Sequence, residues 1–200
     1  MLRTLPVLVL LAAAAPAQEG FERLFNGKNL DGWDGDPRLW SVRDGMIVGS
    51  TEGVDLKANS FLITKRTFKD FILRAEVKLR NHNSGIQFRS EALPDWIVRG
   101  YQADMAENNY WGCIYDERGK RGILVNGWAK AKEAVKLGDW NTYEIHCQGD
   151  QIRLTLNGVT TAELRDSERL EGIIALQVHR GPPMEVYFRK IEIKTLDQQK

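Results

Sequence analysis

The chain has 200 residues, 42% of them hydrophobic, and carries 28 basic against 27 acidic side chains, a formal net charge of +1. That length and apolar content suit a single domain with its own core. The near balance of charge argues against nucleic acid or an anionic membrane surface as a partner held by bulk electrostatics.

The chain opens Met1-Leu2-Arg3, continues with an apolar run from Leu5 to Ala15 and reaches Ala15-Pro16-Ala17. A charged start, a short apolar stretch and a small-x-small site are the parts of a secretory signal peptide, predicted here as residues 1–17. The run is too short to span a bilayer, which takes about 20 residues. The expected product is a secreted or periplasmic protein with no membrane span and one domain over residues 18–200. Its oligomeric state is open.

Past residue 20, alternation and turn residues dominate, and helical periodicity is scarce. Phe21 to Phe25 is short and apolar, and a turn-rich stretch leads from Asn26 to Trp33. Trp40 to Arg43 and Met46 to Val48 flank Asp44-Gly45, a hairpin dipeptide because its turn needs positive φ. Phe61-Leu62-Ile63 reads as a short buried strand. Phe71 to Leu79 is the longest alternation, with Phe71, Leu73, Ala75, Val77 and Leu79 on one face and Arg74, Glu76 and Lys78 on the other. Ser84 to Arg89 and Arg99 to Asp104 repeat the pattern around a loop at Leu93–Trp96. They set Gln87 and Arg89, then Gln102 and Asp104, opposite apolar neighbours.

Tyr110 to Tyr115 is predicted as a further strand bearing Trp111, Cys113 and Tyr115, followed by a charged turn at Arg118–Arg121. Trp128 to Lys136 contains good helix formers but lies between Gly127 and Gly138, so it reads as an ordered loop. Trp140 to Gln148 and Ile152 to Leu156 are strands, and Asn157-Gly158 is the strongest hairpin signal in the chain. Val159 to Leu164, Gly172 to His179 and Val186 to Ile193 complete the set. Many short strands divided by hairpin signals predict an all-β fold, a jelly-roll β-sandwich of two antiparallel sheets.

Several polar strand faces carry complementary acids, bases and amides: Glu76, Gln87, Arg89, Gln102, Asp104, Gln177 and His179, with Tyr115 and Trp111 as aromatic surfaces suited to a sugar ring. Each has a plainer reading as a solvated or ion-paired position. His82, in a turn, and His146, on an exposed face, read as structural. Trp33, Trp40 and Trp140 read as packing, and Trp96 and Trp128, on loops, as rim residues. Cys113 and Cys147 sit in apolar patterns and read as buried free thiols more readily than as a bridge, although an exported compartment permits one.

Gln102-Ala103-Asp104-Met105-Ala106-Glu107 has an amide where a retaining glycosidase would need a nucleophilic carboxylate, which disfavours that chemistry. There is no G-x-S-x-G elbow. No zinc-type Cys/His spacing or clustered Asp/Asn calcium loop occurs, so no cofactor is expected, while a structural or catalytic divalent metal stays open.

Leu24-Phe25-Asn26-Gly27-Lys28-Asn29-Leu30-Asp31-Gly32-Trp33, Asn83-Ser84-Gly85-Ile86-Gln87-Phe88-Arg89, Gly100-Tyr101-Gln102-Ala103-Asp104 and Trp111-Gly112-Cys113-Ile114-Tyr115 resemble, in order, the motifs of the 3-keto-disaccharide hydrolase domain family. Trp140 to Ile145, Leu156-Asn157-Gly158 and Leu176-Gln177-Val178-His179 continue the likeness. The resemblance implies a concanavalin A-like jelly roll, often exported, that cleaves 3-keto-glycosides. Many family members carry Glu and Gln where this chain has Gln102 and Asp104, which leaves open whether the base is shared. On this reading Asp104 or His179 is the base and Arg89 clamps the enolate. Glu76, Gln87, Gln102, Tyr115, Gln177 and Trp111 bind the sugar. Two other readings stand beside it: a non-catalytic sugar-binding module on the same face, and an interaction domain contacting a partner through Trp96 and Trp128.

Overall fold

The computed structural model describes residues 20–196; the predicted signal peptide at residues 1–17 lies outside them. The strands are β1 (Glu22–Arg23), β2 (Trp33–Asp34), β3 (Trp40–Arg43), β4 (Met46–Ser50), β5 (Ser60–Phe68), β6 (Phe71–Leu79), β7 (Asn83–Leu93), β8 (Ile97–Ala106), β9 (Ile114–Glu117), β10 (Gly122–Val125), β11 (Asn141–Gln148), β12 (Gln151–Leu156), β13 (Val159–Arg165), β14 (Gly172–Val178) and β15 (Glu185–Thr195). One turn of helix, α1 (Trp128–Ala131), stands where the sequence predicted an ordered loop. No helix among the described residues is long and apolar enough to cross a membrane.

The strands form two antiparallel sheets. The first runs β13-β12-β11-β6-β15-β4-β3, with β1 added beside β15; the second runs β10-β9-β8-β7-β14-β5-β2. The predicted all-β jelly-roll sandwich is the observed architecture. Its inner faces follow the period of two: along β6 every odd residue from Phe71 to Leu79 is buried, and along β11 Tyr143, Ile145 and Cys147 are. They meet Ile86 and Phe88 of β7, Tyr101, Ala103 and Met105 of β8 and Ile174, Leu176 and Val178 of β14 in one continuous core. Each fully buried side chain of this size contributes roughly 1.5–3 kcal/mol relative to exposure. Asn157 and Gly158 both take positive φ, as the turn between β12 and β13 requires. Cys113 and Cys147 are both buried and free.

The strand predicted at Tyr110–Tyr115 starts later. Tyr110 to Cys113 is turn and coil, closed by the Cys113 N–H donating to the Tyr110 carbonyl at 3.0 Å, and β9 begins only at Ile114. The register of β7 against β8 breaks between Phe88 and Glu91, and Arg89 there has φ +46°. This is a β-bulge, which bends a strand and re-aims its side chains. Past the bulge the β7–β8 hairpin brings Trp96, in its short 3₁₀ turn, against Phe61, Ile63, Val98, Ile173 and Ala175. By alternation these residues lie on the outer face of the second sheet, the face that also carries Gln102, Asp104 and Gln177.

Candidate active site

The outer face of the second sheet holds a cleft of about 530 Å³, lined by Asn83 of β7, Gln102 and Asp104 of β8, Tyr115 and Glu117 of β9, and Gln177 and His179 at the end of β14. Lys57, Ala58 and Asn59, just before β5, form one wall, and Tyr110, Arg118 and Arg180 stand at the rim. Strand register explains the gathering. Gln102 lies opposite Gln87 on one side and Tyr115 on the other, and Asp104 lies opposite Gly85. That glycine is required by close approach: a Cβ at Gly85 would sit 2.3 Å from Cδ of Gln102.

Behind the cleft runs a buried relay. The Ser90 hydroxyl donates to Gln87 Oε1 at 2.8 Å, Gln87 Nε2 to Gln102 Oε1 at 2.6 Å, and Gln102 Nε2 to Asp104 Oδ1 at 3.1 Å. Each amide has one accepting and one donating end, so the two glutamines point the same way along the relay; the Ser90 hydroxyl also lies 3.0 Å from the Phe88 carbonyl and 3.3 Å from that of Tyr101. The relay therefore delivers an N–H to Asp104, whose Oδ1 also accepts the Met105 N–H at 3.0 Å.

Asp104 is 6% exposed. Burial, opposed by its hydrogen bonds from Met105 and Gln102 and reinforced by the charge of Glu117, pushes its carboxyl up to about 7. Glu117 is raised for the same first reason, burial. Asn59 Nδ2, donating at 3.1 Å, and the charge of Arg118 counter the rise. The Tyr115 phenol is pushed up by burial and then by Glu117 and Asp104.

Burial lowers the His179 imidazole. Its Nδ1 stands 2.6 Å from the Arg180 carbonyl, which can only accept, so Nδ1 carries the hydrogen and Nε2 the lone pair. His82, expected to be merely structural, packs edge-to-face on this ring at 4.9 Å, with its Nε2 3.2 Å from His179 Nδ1.

Gln177 is the most telling member. It is fully buried, yet neither its Nε2 nor its Oε1 has a hydrogen-bond partner. Its amide lies near enough to Glu117 to favour that charge without reaching good hydrogen-bond geometry. A buried amide with both ends open is costly, and a hydroxylated ligand would satisfy a donor and an acceptor at once.

The cleft thus unites Asp104, His179, Gln102, Tyr115 and Gln177 of the predicted site. Gln87 sits one layer behind them. Three predicted residues are elsewhere. The bulge turns Arg89 out of the cleft, fully buried, to donate to the carbonyls of Lys69 and Gly149 at 2.8 and 2.7 Å and to Asp70 Oδ1 at 2.8 Å. Glu76 lies on β6 of the other sheet, bound by Arg189 Nε and Lys190 Nζ at 2.6 Å each. Trp111 is core, stacked on Tyr143 at 6.0 Å. Sequence reasoning missed Glu117 because the strand was ended at Tyr115; alternation continued two residues further sets Glu117 on the Tyr115 face. Asn59 precedes its strand and carries no periodic signal.

A second cavity, about 360 Å³, lies against β11, β12 and β13 of the first sheet, but its charged walls are already paired, Arg153 with Glu163 at 2.9 Å and Arg165 with Asp150 at 2.8 Å. Among the described residues no three His, Cys, Asp or Glu side chains gather as a metal-ligand set.

The model of the 3-keto-alpha-glucoside-1,2-lyase-like domain matches residues 20–194. Among solved structures, a Parabacteroides distasonis protein classed provisionally as a glycosyl hydrolase is 24% identical, with TM-score 0.64 over 88% of this chain and 99% of that one. The carbohydrate-binding module CBM66 of Bacillus subtilis is 14% identical, with TM-score 0.62 over 82% and 96%. A Bacillus subtilis protein of unknown function with a galectin-like fold is 13% identical, with TM-score 0.59 over 83% and 90%. These likenesses speak to the fold. No curated protein matches the chain in sequence.

Proposed function

The chain belongs to the 3-keto-alpha-glucoside-1,2-lyase-like domain family, and from that membership and the chemistry of the cleft we propose that it is an exported enzyme that cleaves 3-keto-glycosides. The observation that carries the proposal is the cleft's combination of Asp104, a buried carboxyl poised near neutrality, with the open amide of Gln177.

A ketone at C3 of a glucosyl ring acidifies the hydrogen on C2. The Asp104 carboxylate takes that proton, and the C2–H electrons move toward C3 to form an enolate. The enolate collapses, C1=C2 forms, and the C1–O bond breaks with its electrons on the aglycone oxygen. That oxygen takes a proton from an acid, for which Glu117, held toward its neutral form by burial, is the assigned donor. Water then adds across C1=C2, hydroxyl to C1 and hydrogen to C2, and yields the free 3-keto-sugar. A general base works best with a pKa near the working pH, and proton transfer of this kind typically contributes about 10²–10⁴-fold. The positive charge that favours the enolate comes from Arg118, Arg180 and Lys57 around the cleft, since Arg89 is not there. Gln102, Gln177, Tyr115 and the lone pair of His179 Nε2 orient the sugar hydroxyls.

The test is purified protein with 3-keto-trehalose and a 3-keto-β-glucoside in D₂O. The expected results are release of the aglycone and deuterium at C2, both lost in Asp104→Asn. Glycan binding with neither release nor exchange would instead favour a carbohydrate-binding module.

A further inference from the structure

Among the described residues every arginine forms an ion pair with a carboxylate except Arg118 and Arg180. Both of these line the cleft. Exposure is not the reason, because the side chains of Arg38 and Arg165 are 68% and 67% exposed and still pair with Asp36 and Asp150. The third cation at the cleft, Lys57, is paired with Asp55. A guanidinium keeps its charge at any pH the protein meets and presents a fork that fits a carboxylate.

The backbone of Arg180 is fixed on both sides while its guanidinium has no partner. Its N–H donates to Asn59 Oδ1 at 3.1 Å, and its carbonyl accepts the His179 Nδ1 hydrogen at 2.6 Å and lies 3.0 Å from His82 Nε2. Arg118 follows Glu117 directly, in a turn where it takes φ +55° and the Gly119 N–H donates to the Asp116 carbonyl at 3.1 Å. Its charge reaches Glu117, whose carboxyl burial holds toward the neutral form. Asn59 meets both sides, since its Nδ2 donates to Glu117 Oε1 at 3.1 Å while its Oδ1 holds Arg180. The two unpaired cations are therefore anchored to the assigned leaving-group acid, Arg118 through the chain and Arg180 through Asn59.

Resting on the reaction assigned above, we propose that the preferred substrates are glycosides of acidic aglycones, whose carboxylate Arg118 and Arg180 bind together. The enolate oxygen lies on the C3 side of C2 and the aglycone on the C1 side, which is the side Glu117 serves. A neutral glycoside would set a negative charge beside these cations only while the enolate lasts. An acidic aglycone pairs them from the first encounter and is steered in by them.

The experiment measures kcat/KM for 4-carboxyphenyl 3-keto-β-glucoside and its neutral isostere, 4-carbamoylphenyl 3-keto-β-glucoside, in wild type, Arg118→Gln, Arg180→Gln and the double variant. Wild type should prefer the acid roughly three- to thirtyfold, the return of two exposed guanidinium–carboxylate pairs. The preference should shrink as salt is raised. Each single variant should lose part of it and the double variant all of it. Both substrates form the same enolate, so the ratio within one variant cancels any loss of enolate stabilisation or of folded protein. A wild-type ratio near one, or a preference that survives in the double variant, overturns the proposal. Should wild type release nothing from either substrate, the reaction fails on its own, and the carboxylate site is judged by calorimetric titration of the two unoxidised glucosides. Tighter binding of the carboxyphenyl glucoside, lost in the double variant, supports it. Binding that is absent, equal for the two, or unchanged in the double variant overturns it.

Discussion

Replacing Arg89 by Met should unfold this protein more easily and leave its chemistry intact. The guanidinium is wholly buried and makes three charge-assisted hydrogen bonds, to Lys69, Gly149 and Asp70, which tie β7 of the second sheet to the β5–β6 turn and to the β11–β12 turn of the first. Asp70 Oδ1 also accepts the Gly149 N–H at 2.9 Å, so one cation organises both turns. Each hydrogen bond to a charged group is worth about 1.5–3 kcal/mol. The Lys69 and Gly149 carbonyls sit in exposed turns where water can replace part of the loss. The net cost should therefore fall near the usual figure for breaking a buried ion pair, about 3–5 kcal/mol. A domain of this size shifts roughly 2–4 °C in Tm per kcal/mol, so the melt should fall by roughly 6–20 °C. Asp70→Asn made in the Arg89→Met background should then cost less than Asp70→Asn alone, because its partner is already gone. Differential scanning calorimetry reads the stability, and aglycone release well below the melt reads the activity. A melt that holds steady while turnover collapses would refute this account and return Arg89 to the substrate.

Asp104→Asn should abolish release, and in wild type kcat/KM should climb with pH through about 7 as the base loses its proton. Because folding raises that carboxyl above its unfolded value of 3.8, its contribution to stability is full at low pH and lost as pH rises through about 7; the Asn variant should therefore gain more in Tm over wild type at pH 8 than at pH 5. Gly85→Ala should displace Gln102 and cost about tenfold or more in turnover, within the range proton-transfer assistance supplies, together with a shifted acid limb in the pH profile; an unmoved limb would show that the relay does not govern Asp104. Gln177→Leu should stabilise the sugar-free protein by about 1–3 kcal/mol, the cost of an unsatisfied buried amide, and so raise Tm, while raising KM; a lowered Tm would mean that the amide is satisfied after all.

The fold is readable because it rests on period-two burial and on turn dipeptides, both local properties: β6 buries every odd residue from Phe71 to Leu79, and Asn157-Gly158 turns β12 into β13. The site was readable where the backbone kept that period. Gln102, Asp104 and Gln177 share one face for this reason alone. Arg89 was misplaced because a bulge adds one residue to the count, and nothing in Gln87-Phe88-Arg89-Ser90 announces it. Glu76 shows the other limit: alternation says which face of a strand a side chain occupies but not which sheet the strand joins. Trp111 belonged to a strand that begins three residues later, and once packed on Tyr143 it has no route to solvent.

The placement of β15 bears on how the chain must be made. It is the last strand in chain order, yet it lies between β6 and β4 and also takes β1 along its length. Until it arrives, β4 and β6 have unpaired edges that offer themselves to any neighbouring chain. No co-translational intermediate can close the first sheet, and the pairings that close it are far apart in sequence, which makes folding slow. The first sheet therefore stays open until synthesis has passed Thr195, although every strand of the second is made by Val178.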